Sequence, residues 1–136
     1  MISATVDIVA QFYDLDPMQV VWHGNYARFF EQARCALLDK IGYNYPEMDQ
    51  SGYMWPIVDM QTKFIRPIRF AQAFRVEATL VDYENRLKIT YRCIDKISGE
   101  VLTKAQTTQV AVLRATGELC LESPATLIDK VRAQLC

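Results

Sequence analysis

Hydrophobic residues change their spacing along the chain, and each spacing predicts a different element. Between residues 5 and 13 every second position is apolar, which predicts a strand. From about Asn25 apolar side chains recur every three or four positions, and Gly42 follows as a stop signal, which predicts a long helix. Because this helix is apolar over much of its circumference, we expect it to be buried. The residues in these patterns are Val6, Ile8, Ala10 and Phe12 in the strand, and Tyr26, Phe29, Phe30, Ala33, Leu37 and Ile41 in the helix.

After the helix, the chain predicts extended strands joined by short turns. Pro67 is expected to bend the first of these strands, and Ser123-Pro124 is expected to cap a short C-terminal helix with Leu127, Val131 and Leu135 on one side. The predicted strands cover residues 57–70, 74–80, 87–93 and 101–114, with hairpin turns at Glu84-Asn85 and Ser98-Gly99.

The order of these elements predicts the fold class. One strand, one long helix and then four consecutive strands indicate an α+β protein with a five-stranded antiparallel sheet. No repeat or linker divides the chain, so we expect a single domain over residues 1–136. One helix cannot cover both faces of such a sheet, and the uncovered face or an edge strand predicts an oligomer.

Composition excludes several classes of function. The formal net charge is −1, which argues against a nucleic-acid-binding protein because such proteins normally carry a basic excess. No apolar run approaches the length of a membrane span, and the N-terminus lacks the features of a signal peptide. We therefore expect a cytoplasmic protein without a membrane span.

The cysteines and the single histidine predict chemistry without a metal. Cys35, Cys93, Cys120 and Cys136 form no C-x-x-C pair, and reduced thiols are expected in the cytoplasm. With His23 as the sole histidine, a histidine-rich zinc site within one subunit is excluded. Cys35 is disfavoured as a nucleophile because it lies about three helical turns beyond the loop that holds His23.

Residues 12–26 contain the groups best suited to catalysis. This segment runs from the end of a predicted strand into the start of the helix, and it includes Asp14, Asp16, His23 and Gly24. The start of a helix offers free backbone N–H groups and a partial positive charge, which can hold the oxyanion formed when a carbonyl is attacked. A nearby carboxylate can attack the carbonyl or activate a water.

The same segment resembles the 4-hydroxybenzoyl-CoA thioesterase family, and particularly the branch that includes the short-chain acyl-CoA thioesterase of the bacterial Tol-Pal gene cluster. The resemblance covers essentially the whole chain. The residues that carry it are Asp14-x-Asp16-Pro17, Val20-Val21-Trp22-His23-x-Asn25-Tyr26, Phe29-Phe30-Glu31-x-Ala33-Arg34 and Phe64-Ile65-Arg66-Pro67-Ile68-Arg69.

This resemblance implies a hot-dog fold, in which an antiparallel sheet wraps around one long helix, and dimers or dimers of dimers with the active site between subunits. It implies that Asp16 is the catalytic carboxylate and that N–H groups around His23 and Gly24 polarise the thioester carbonyl, with no cofactor and no metal. The substrate would be an acyl-CoA or an acyl-carrier-protein thioester. Histidine at position 23, where the hydroxybenzoyl-specific enzyme has tyrosine, argues against a hydroxybenzoyl substrate.

Each candidate residue also has a structural explanation. Asp14 and Asp16 could both bind their own backbone in a turn, which we favour for Asp14 but not for Asp16. The His23 side chain either positions water or substrate or packs in the core. Asn25 and Tyr26 could line the site, although helix capping by Asn25 and core packing by Tyr26 explain them nearly as well.

Coenzyme A carries several phosphates, so basic residues are expected at the mouth of the site. The candidates are Lys63, Arg66, Arg69, Arg86 and Lys88, of which we select Lys63, Arg66 and Arg86 as substrate-binding residues. Glu31 is interpreted as the partner of Arg28 or Arg34 in an ion pair on the helix surface.

The sequence therefore predicts a thioester hydrolase for short or medium acyl groups or small aryl groups. Asp16 either attacks the carbonyl carbon or takes a proton from water. Two alternatives stay open: an acyl-CoA hydratase of the same fold, and a non-catalytic module that binds an acyl carrier or a protein. The resemblance favours the hydrolase, because six residues separate Asp16 from His23, whereas such hydratases place a catalytic Asp and His closer together in a different loop.

Overall fold

The computed structural model describes residues 1–135 and confirms the predicted fold class. Five strands form one antiparallel sheet in the order β1-β4-β5-β6-β3. Three helices and a small two-stranded sheet, β2 with β7, complete the architecture. In chain order the elements are β1 Ser3–Val9, α1 Tyr26–Ile41, α2 Tyr45–Ser51, β2 Tyr53–Met54, β3 Ile57–Phe64, β4 Ala73–Asp82, β5 Leu87–Asp95, β6 Val101–Gln109, β7 Val112–Leu113 and α3 Ala125–Leu135.

Helix α1 packs across one face of the sheet and supplies much of the core. It ends as predicted at Gly42, whose φ of +82° belongs to the left-handed region and whose N–H bonds the carbonyls of Leu38 and Asp39. The helix is buried on one side only, because Ala27 and several polar positions such as Arg28 face solvent. Its buried residues are Tyr26, Phe29, Phe30, Ala33, Arg34, Leu37, Leu38 and Ile41.

The other face of the sheet is polar. Side chains alternate between the faces of a strand, and the residues that point away from α1 include cross-strand ion pairs. Arg92 bonds Glu77 at 2.9 Å, and Arg75 lies 3.6 Å from Asp7. This face is stable in water without an apolar cover, so it gives no reason to expect an oligomer.

The edge strand β3, unlike the open face of the sheet, gives a reason to expect an oligomer. Among residues 1–135, β3 pairs only with β6, so its other side presents unpaired backbone groups. Five large apolar side chains on and beside it are 43–58% exposed. We call these residues the edge strip: Ile57, Val58, Met60, Phe64 and Ile65.

The strand predicted over residues 101–114 ends at Gln109, and Val112–Leu113 form the separate β7. Two other predicted strands also end earlier than expected. Strand β1 stops at Val9, and Phe12 lies in a 3-10 turn over Phe12–Asp14 with its side chain 79% exposed. Strand β3 stops at Phe64 rather than at Phe70, because residues 65–72 form a loop. Both deviations lie at the same end of the sheet, where these loops build the candidate site.

The region after α1 contains elements that the periodicity did not predict. Helix α2 has a readable start, because the Asn44 side chain accepts a hydrogen bond from the Tyr45 N–H and the Glu47 carboxylate accepts one from the Asn44 N–H. At the C-terminus, α3 forms as predicted and buries Leu127 and Val131, whereas Leu135 is half-exposed.

The predicted cap of α3 is not made, because Ser123 Oγ is buried without a hydrogen-bond partner in the described part of the chain. Helix α3 therefore depends on packing rather than on a side-chain cap. Cys136, one of the four cysteines, lies outside the described residues.

Candidate active site

Asp16 lies at the base of a tight loop. Leu15 and Val21 pair across it, and the Asp16 N–H donates to the Val20 carbonyl at 2.9 Å. The loop closes through Gln19, whose φ of +64° is rare for a residue with a side chain. Such geometry is held by the surrounding hydrogen bonds and is common at functional sites.

The Asp16 carboxylate is anchored through one oxygen. Oδ1 accepts a hydrogen bond from the Met18 N–H at 2.8 Å, which is the turn interaction that the sequence offered as an alternative to catalysis. No hydrogen bond within residues 1–135 engages Oδ2. The turn contact therefore fixes the direction of the carboxylate and leaves its second oxygen available to a substrate or a water.

Asp14 is buried and has structural contacts. Its side chain accepts a hydrogen bond from the Gln11 N–H at 2.8 Å. Its carbonyl accepts one from the Trp22 N–H at 2.9 Å and another from Asn25 Nδ2 at 2.8 Å. Asn25 therefore does not cap the helix with its side chain, as the sequence allowed, but ties the start of the helix to the Asp14 turn.

The start of the helix leaves two backbone donors free. A 3-10 turn over His23–Asn25 continues into α1. The Asn25 N–H bonds the Trp22 carbonyl, and the Tyr26 N–H bonds the His23 carbonyl. The N–H groups of His23 and Gly24 have no hydrogen-bond partner among the described residues. These are the donors that a developing oxyanion requires.

A cavity of about 280 Å³ connects Asp16 to the helix start. Asp16 lines it from its loop, His23 from the 3-10 turn, Tyr26 from α1, Phe64 from the end of β3 and Arg66 from the loop that follows β3. Its lining is otherwise largely apolar. The structure thus brings together four residues that the sequence predicted, since Asp16, His23, Tyr26 and Arg66 share this space.

Tyr26 combines the two roles that the sequence left open. Its side chain is 3% exposed, and its ring lies 5.0 Å from that of Phe64, edge to face. Burial raises the pKa of Tyr26 to about 12, so its hydroxyl stays protonated at neutral pH. Tyr26 is therefore a neutral wall of the cavity and not a base.

The predicted phosphate-binding residues are separated. Arg66 lines the cavity and pairs with Glu100 at 3.0 Å. Lys63 points to the opposite face of the sheet, beside Lys104, because it alternates with the inward-facing Phe64. Within one chain, only Arg66 of the three predicted cations therefore lies with Asp16.

Arg86 lies at the other end of the sheet. It is the last residue of the turn between β4 and β5, where its guanidinium donates a hydrogen bond to the Asp82 carboxylate at 3.2 Å. The Asp16 loop contacts the loop that precedes β4 through the pairing of Val20 with Arg69. Strand β4 has ten residues, so roughly 30 Å separates its two ends. A site within one chain cannot include both Asp16 and Arg86.

A second cavity opens on another side of the Asp16 loop. Its volume is about 620 Å³, and Phe12, Arg69 and Phe70 line it together with Asp16. The rings of Phe12 and Phe70 pack edge to face at 6.3 Å. The sequence predicted that these two phenylalanines lie in strands. In the structure both strands end before them, so Phe12 and Phe70 lie in the segments beside Asp16.

Arg34 forms the predicted ion pair with Glu31 and also has partners that the sequence did not predict. Its guanidinium is buried and donates hydrogen bonds to the hydroxyls of Tyr45 and Tyr91 at 3.2–3.3 Å. Glu31 lies 3.9 Å from it, at the limit of an ion pair. Arg28 instead donates to Asn25 Oδ1 at 3.4 Å. Glu31 is thus the weakest partner in a network built mainly from tyrosine hydroxyls.

Cys35 and Cys93 are not suited to nucleophilic catalysis. Burial raises the pKa of the Cys93 thiol to about 12, and burial also raises the pKa of Cys35. Both thiols stay protonated at neutral pH and are poor nucleophiles.

Over residues 1–135, no group of three or more His, Cys, Asp and Glu side chains is placed to hold a metal ion. No helix in this range is long and apolar enough to cross a membrane.

A match to a family model agrees with the fold and with the geometry of the loop that holds Asp16. Residues 10–135 match the model of the thioesterase-like superfamily. The chain belongs to this superfamily. The prediction of a thioester hydrolase is therefore confirmed at the level of thioester hydrolysis.

Individual relatives support the same assignment. The Bacillus subtilis protein YneP, provisionally named an acyl-CoA thioesterase, is 29% identical over 107 residues, which is 78% of this chain and 77% of YneP. The DHNA-CoA thioesterase of Staphylococcus aureus is 27% identical and has a TM-score of 0.83, and the match covers 98% of this chain and 93% of that one. Both relatives are thioesterases by name, which favours hydrolysis over the hydration reaction of the alternative.

A mutant 4-hydroxybenzoyl-CoA thioesterase in complex with 4-hydroxybenzoyl-CoA shares the fold. Its TM-score is 0.82 at 20% identity, with 96% of this chain matched to 99% of that one. The predicted hot-dog fold is therefore confirmed, whereas particular closeness to the Tol-Pal branch stays a prediction.

Proposed function

We propose that this superfamily member hydrolyses acyl-CoA thioesters of short or medium acyl groups or small aryl groups. The observation that carries this proposal is a cavity lined by both Asp16, which has one free carboxylate oxygen, and His23, whose free N–H stands with that of Gly24 at the adjacent start of the helix. The carboxylate supplies the nucleophile or base, and the N–H groups supply the oxyanion hole.

The reaction begins when the thioester carbonyl oxygen receives hydrogen bonds from the His23 and Gly24 N–H groups. In one route, Asp16 Oδ2 attacks the carbonyl carbon, the C–S bond breaks, and water then hydrolyses the mixed anhydride. In the other, Asp16 takes a proton from water as that water attacks. Both routes release the free acid and the thiol of CoA.

The site needs little acid catalysis, because a thiolate is a good leaving group. His23, on the wall of the same cavity, is placed to orient the attacking water or the substrate. Tyr26 and Phe64 limit the space beside Asp16, which supports a preference for small acyl groups. The name of the S. aureus relative, which refers to an aryl-CoA, supports including small aryl groups.

The first test is Asp16→Asn, which preserves shape and removes the charge. We expect turnover of the best substrate to fall about 100-fold or more, as when a positioned acid–base group is lost. The substrates would be CoA and acyl-carrier-protein thioesters from acetyl to palmitoyl, with palmitoyl-CoA among the poorest. Asp129→Asn, an exposed position on α3, is the matched control. Near-normal turnover by Asp16→Asn would refute the mechanism.

Turnover in ¹⁸O-labelled water can reveal the covalent route. If Asp16 is the nucleophile and water attacks the Asp16 carbon of the anhydride, ¹⁸O enters the Asp16 carboxylate, and mass spectrometry of the Asp16 peptide detects it. Label confined to the free acid is expected from general-base catalysis and also from attack of water on the acyl carbon of the anhydride.

We propose further that the active unit is a homodimer joined through the β3 edges, alone or within a dimer of dimers. The edge strip gives β3 apolar side chains beside unpaired backbone groups, which is the combination that a second copy of the strand would cover. Antiparallel pairing of two β3 strands would align the Phe64 end of one protomer with the Ile57 end of the other.

This pairing would bring Arg86 of one protomer toward Asp16 of the other. Ile57 pairs with Gln109, and Gln109 pairs with Leu87, so the turn that holds Arg86 lies at the Ile57 end of the sheet. In the dimer that end approaches the cavity of the other protomer. Arg86 of one protomer is therefore expected to serve the CoA phosphates of a substrate bound at Asp16 of the other.

Complementation between two inactive variants tests the shared site. Asp16→Asn and Arg86→Glu proteins would be unfolded, mixed and refolded together. Random pairing makes about half of the dimers hybrid, and one site in each hybrid then has both functional parts, so up to about a quarter of all sites regain activity. If each chain builds its own site, no activity returns. Arg86→Glu alone should still cleave thioesters that lack the CoA nucleotide.

A further inference from the structure

The indole ring of Trp22 lies directly on Gly24. A Cβ atom added at Gly24 would be 2.5 Å from two carbons of the six-membered ring of Trp22 and 2.8 Å from a third. Ordinary contacts between carbon atoms are about 3.5–4.0 Å, so no side chain fits between them. The ring occupies the place that any other residue at position 24 would fill with its own side chain.

This contact places the indole over the start of the helix. In a helix, the Cα–Cβ bond tilts toward the N-terminus. The ring that replaces the Cβ of Gly24 therefore lies on the N-terminal side of that residue, at the end of the helix that carries the free N–H groups of His23 and Gly24. The local sequence Trp22-His23-Gly24 thus builds one packed unit beside the two donors.

The imidazole of His23 packs beside the same indole ring. It makes no hydrogen bond with any residue in the range 1–135, although it lines the cavity with Asp16. Its aromatic neighbour is Trp22, with ring centres 5.3 Å apart and planes inclined by 54°. Packing against the indole is therefore a contact that can hold the imidazole in the cavity.

We propose that Trp22 is a positioning residue: seated on Gly24, its indole holds the His23 imidazole in the cavity beside Asp16. This inference deepens the proposed function and rests on it. Gly24 then has two tasks, since its N–H faces the substrate and its lack of a side chain seats the ring. Trp22 acts through His23 and touches no reacting atom.

Three variants test this arrangement: Trp22→Ala, Gly24→Ala and the double variant. A Cβ at position 24 must displace the indole, so Gly24→Ala should lower kcat on the order of tenfold or more, with a smaller change in KM. Trp22→Ala should do the same. Because both act through one contact, the double variant should be no worse than Trp22→Ala.

Nuclear magnetic resonance gives a second readout, because His23 is the sole histidine of the chain. Its imidazole signals feel the ring current of Trp22 in the folded wild-type protein. We expect Trp22→Ala and Gly24→Ala to move these signals in the same direction. Trp55→Phe, at the other, buried tryptophan, should leave them in place.

Two results would overturn the inference. One is an additive loss of kcat in the double variant, which would show that Gly24 and Trp22 act independently. The other is an imidazole that keeps its nuclear Overhauser contacts with the cavity wall in Trp22→Ala, because loss of the ring current alone moves the signals without moving the ring of His23. If the wild-type protein cleaves no thioester, the proposed function fails instead, and these Overhauser contacts then decide whether Trp22 positions His23.

Discussion

Met60 offers a direct test of the proposed dimer. It lies on the α1 side of the edge strand β3, opposite Thr107 of β6, and its side chain is 48% exposed in the single chain. In the proposed dimer, two copies of this side chain would be buried near the two-fold axis. We choose Met60→Glu because it replaces apolar surface with a charge at the centre of the edge strip.

The expected effect follows from the exposed fraction. Burying a whole methionine side chain stabilises by about 2 kcal/mol, so burying the exposed half contributes about 1 kcal/mol per copy. Two copies contribute about 2 kcal/mol to each interface, which alone corresponds to an increase in Kd of roughly 30-fold. Two carboxylates brought together in an apolar interface add a further penalty of the same sign.

Sedimentation velocity over a range of concentrations measures this change, and activity is followed at the same concentrations. The variant should dissociate where the wild-type protein is still dimeric, and its activity should fall with dilution. Ile97→Glu is the matched control, because Ile97 is 95% exposed in the turn between β5 and β6, away from β3. A wild-type dimer unaffected by Met60→Glu would refute the proposed interface, as would a fully active monomer.

Two further predictions concern titration and metals. Hydrogen bonds from the Ser98 N–H and then from Gln72 hold the pKa of Asp95 down, at about 2, so its contribution to stability is present above the unfolded-state pKa of about 3.9 and is lost as the pH falls toward 2. Urea unfolding from pH 5 to pH 2 should therefore show a difference between wild type and Asp95→Asn that shrinks with acidity; a constant difference would contradict it. Activity should survive dialysis against a strong chelator, and restoration by zinc alone of a lost activity would overturn the metal-free mechanism.

The core elements were predictable because burial imposes their periodicity. The spacing of Phe29, Phe30, Ala33 and Leu37 follows from contact with one sheet face, and Gly42 ends the helix through its backbone conformation. The strands after α1 were predictable for the same reason. Helix α2 was missed although its capping residues were visible, since a seven-residue helix has too few apolar positions to show a period.

The strand ends could not be predicted from alternation alone. Phe12 continues the pattern of Val6 and Ile8, yet the chain turns at Asp14, whose carboxylate accepts the Gln11 N–H. Local hydrogen bonds of this kind compete with a strand and leave no trace in hydrophobic periodicity. Because the candidate site is made of such loops, its residues were predicted from chemical type and resemblance, and their geometry was not.

The basic residues show a different limit. Lys63 and Arg86 were chosen because CoA is anionic, but charge alone does not specify the face or the end of a sheet. Strand alternation turns Lys63 away from the cavity, and strand length separates Arg86 from it. Such positions become interpretable only with the strand order and, for Arg86, with a second protomer.

The structural and catalytic explanations of Asp16 are compatible, although the sequence presents them as alternatives. A carboxylate has two oxygens, and the turn uses only Oδ1, which accepts the Met18 N–H. The same bond restricts rotation of the side chain, so Oδ2 needs less reorganisation to meet a carbonyl carbon or a water. Gly24 also combines two roles, because it provides both a free N–H and the space for the Trp22 ring. In this loop the contact that shapes the turn therefore also orients the carboxylate for the proposed reaction. Asp16→Asn separates the two roles, because it removes the charge and keeps the turn.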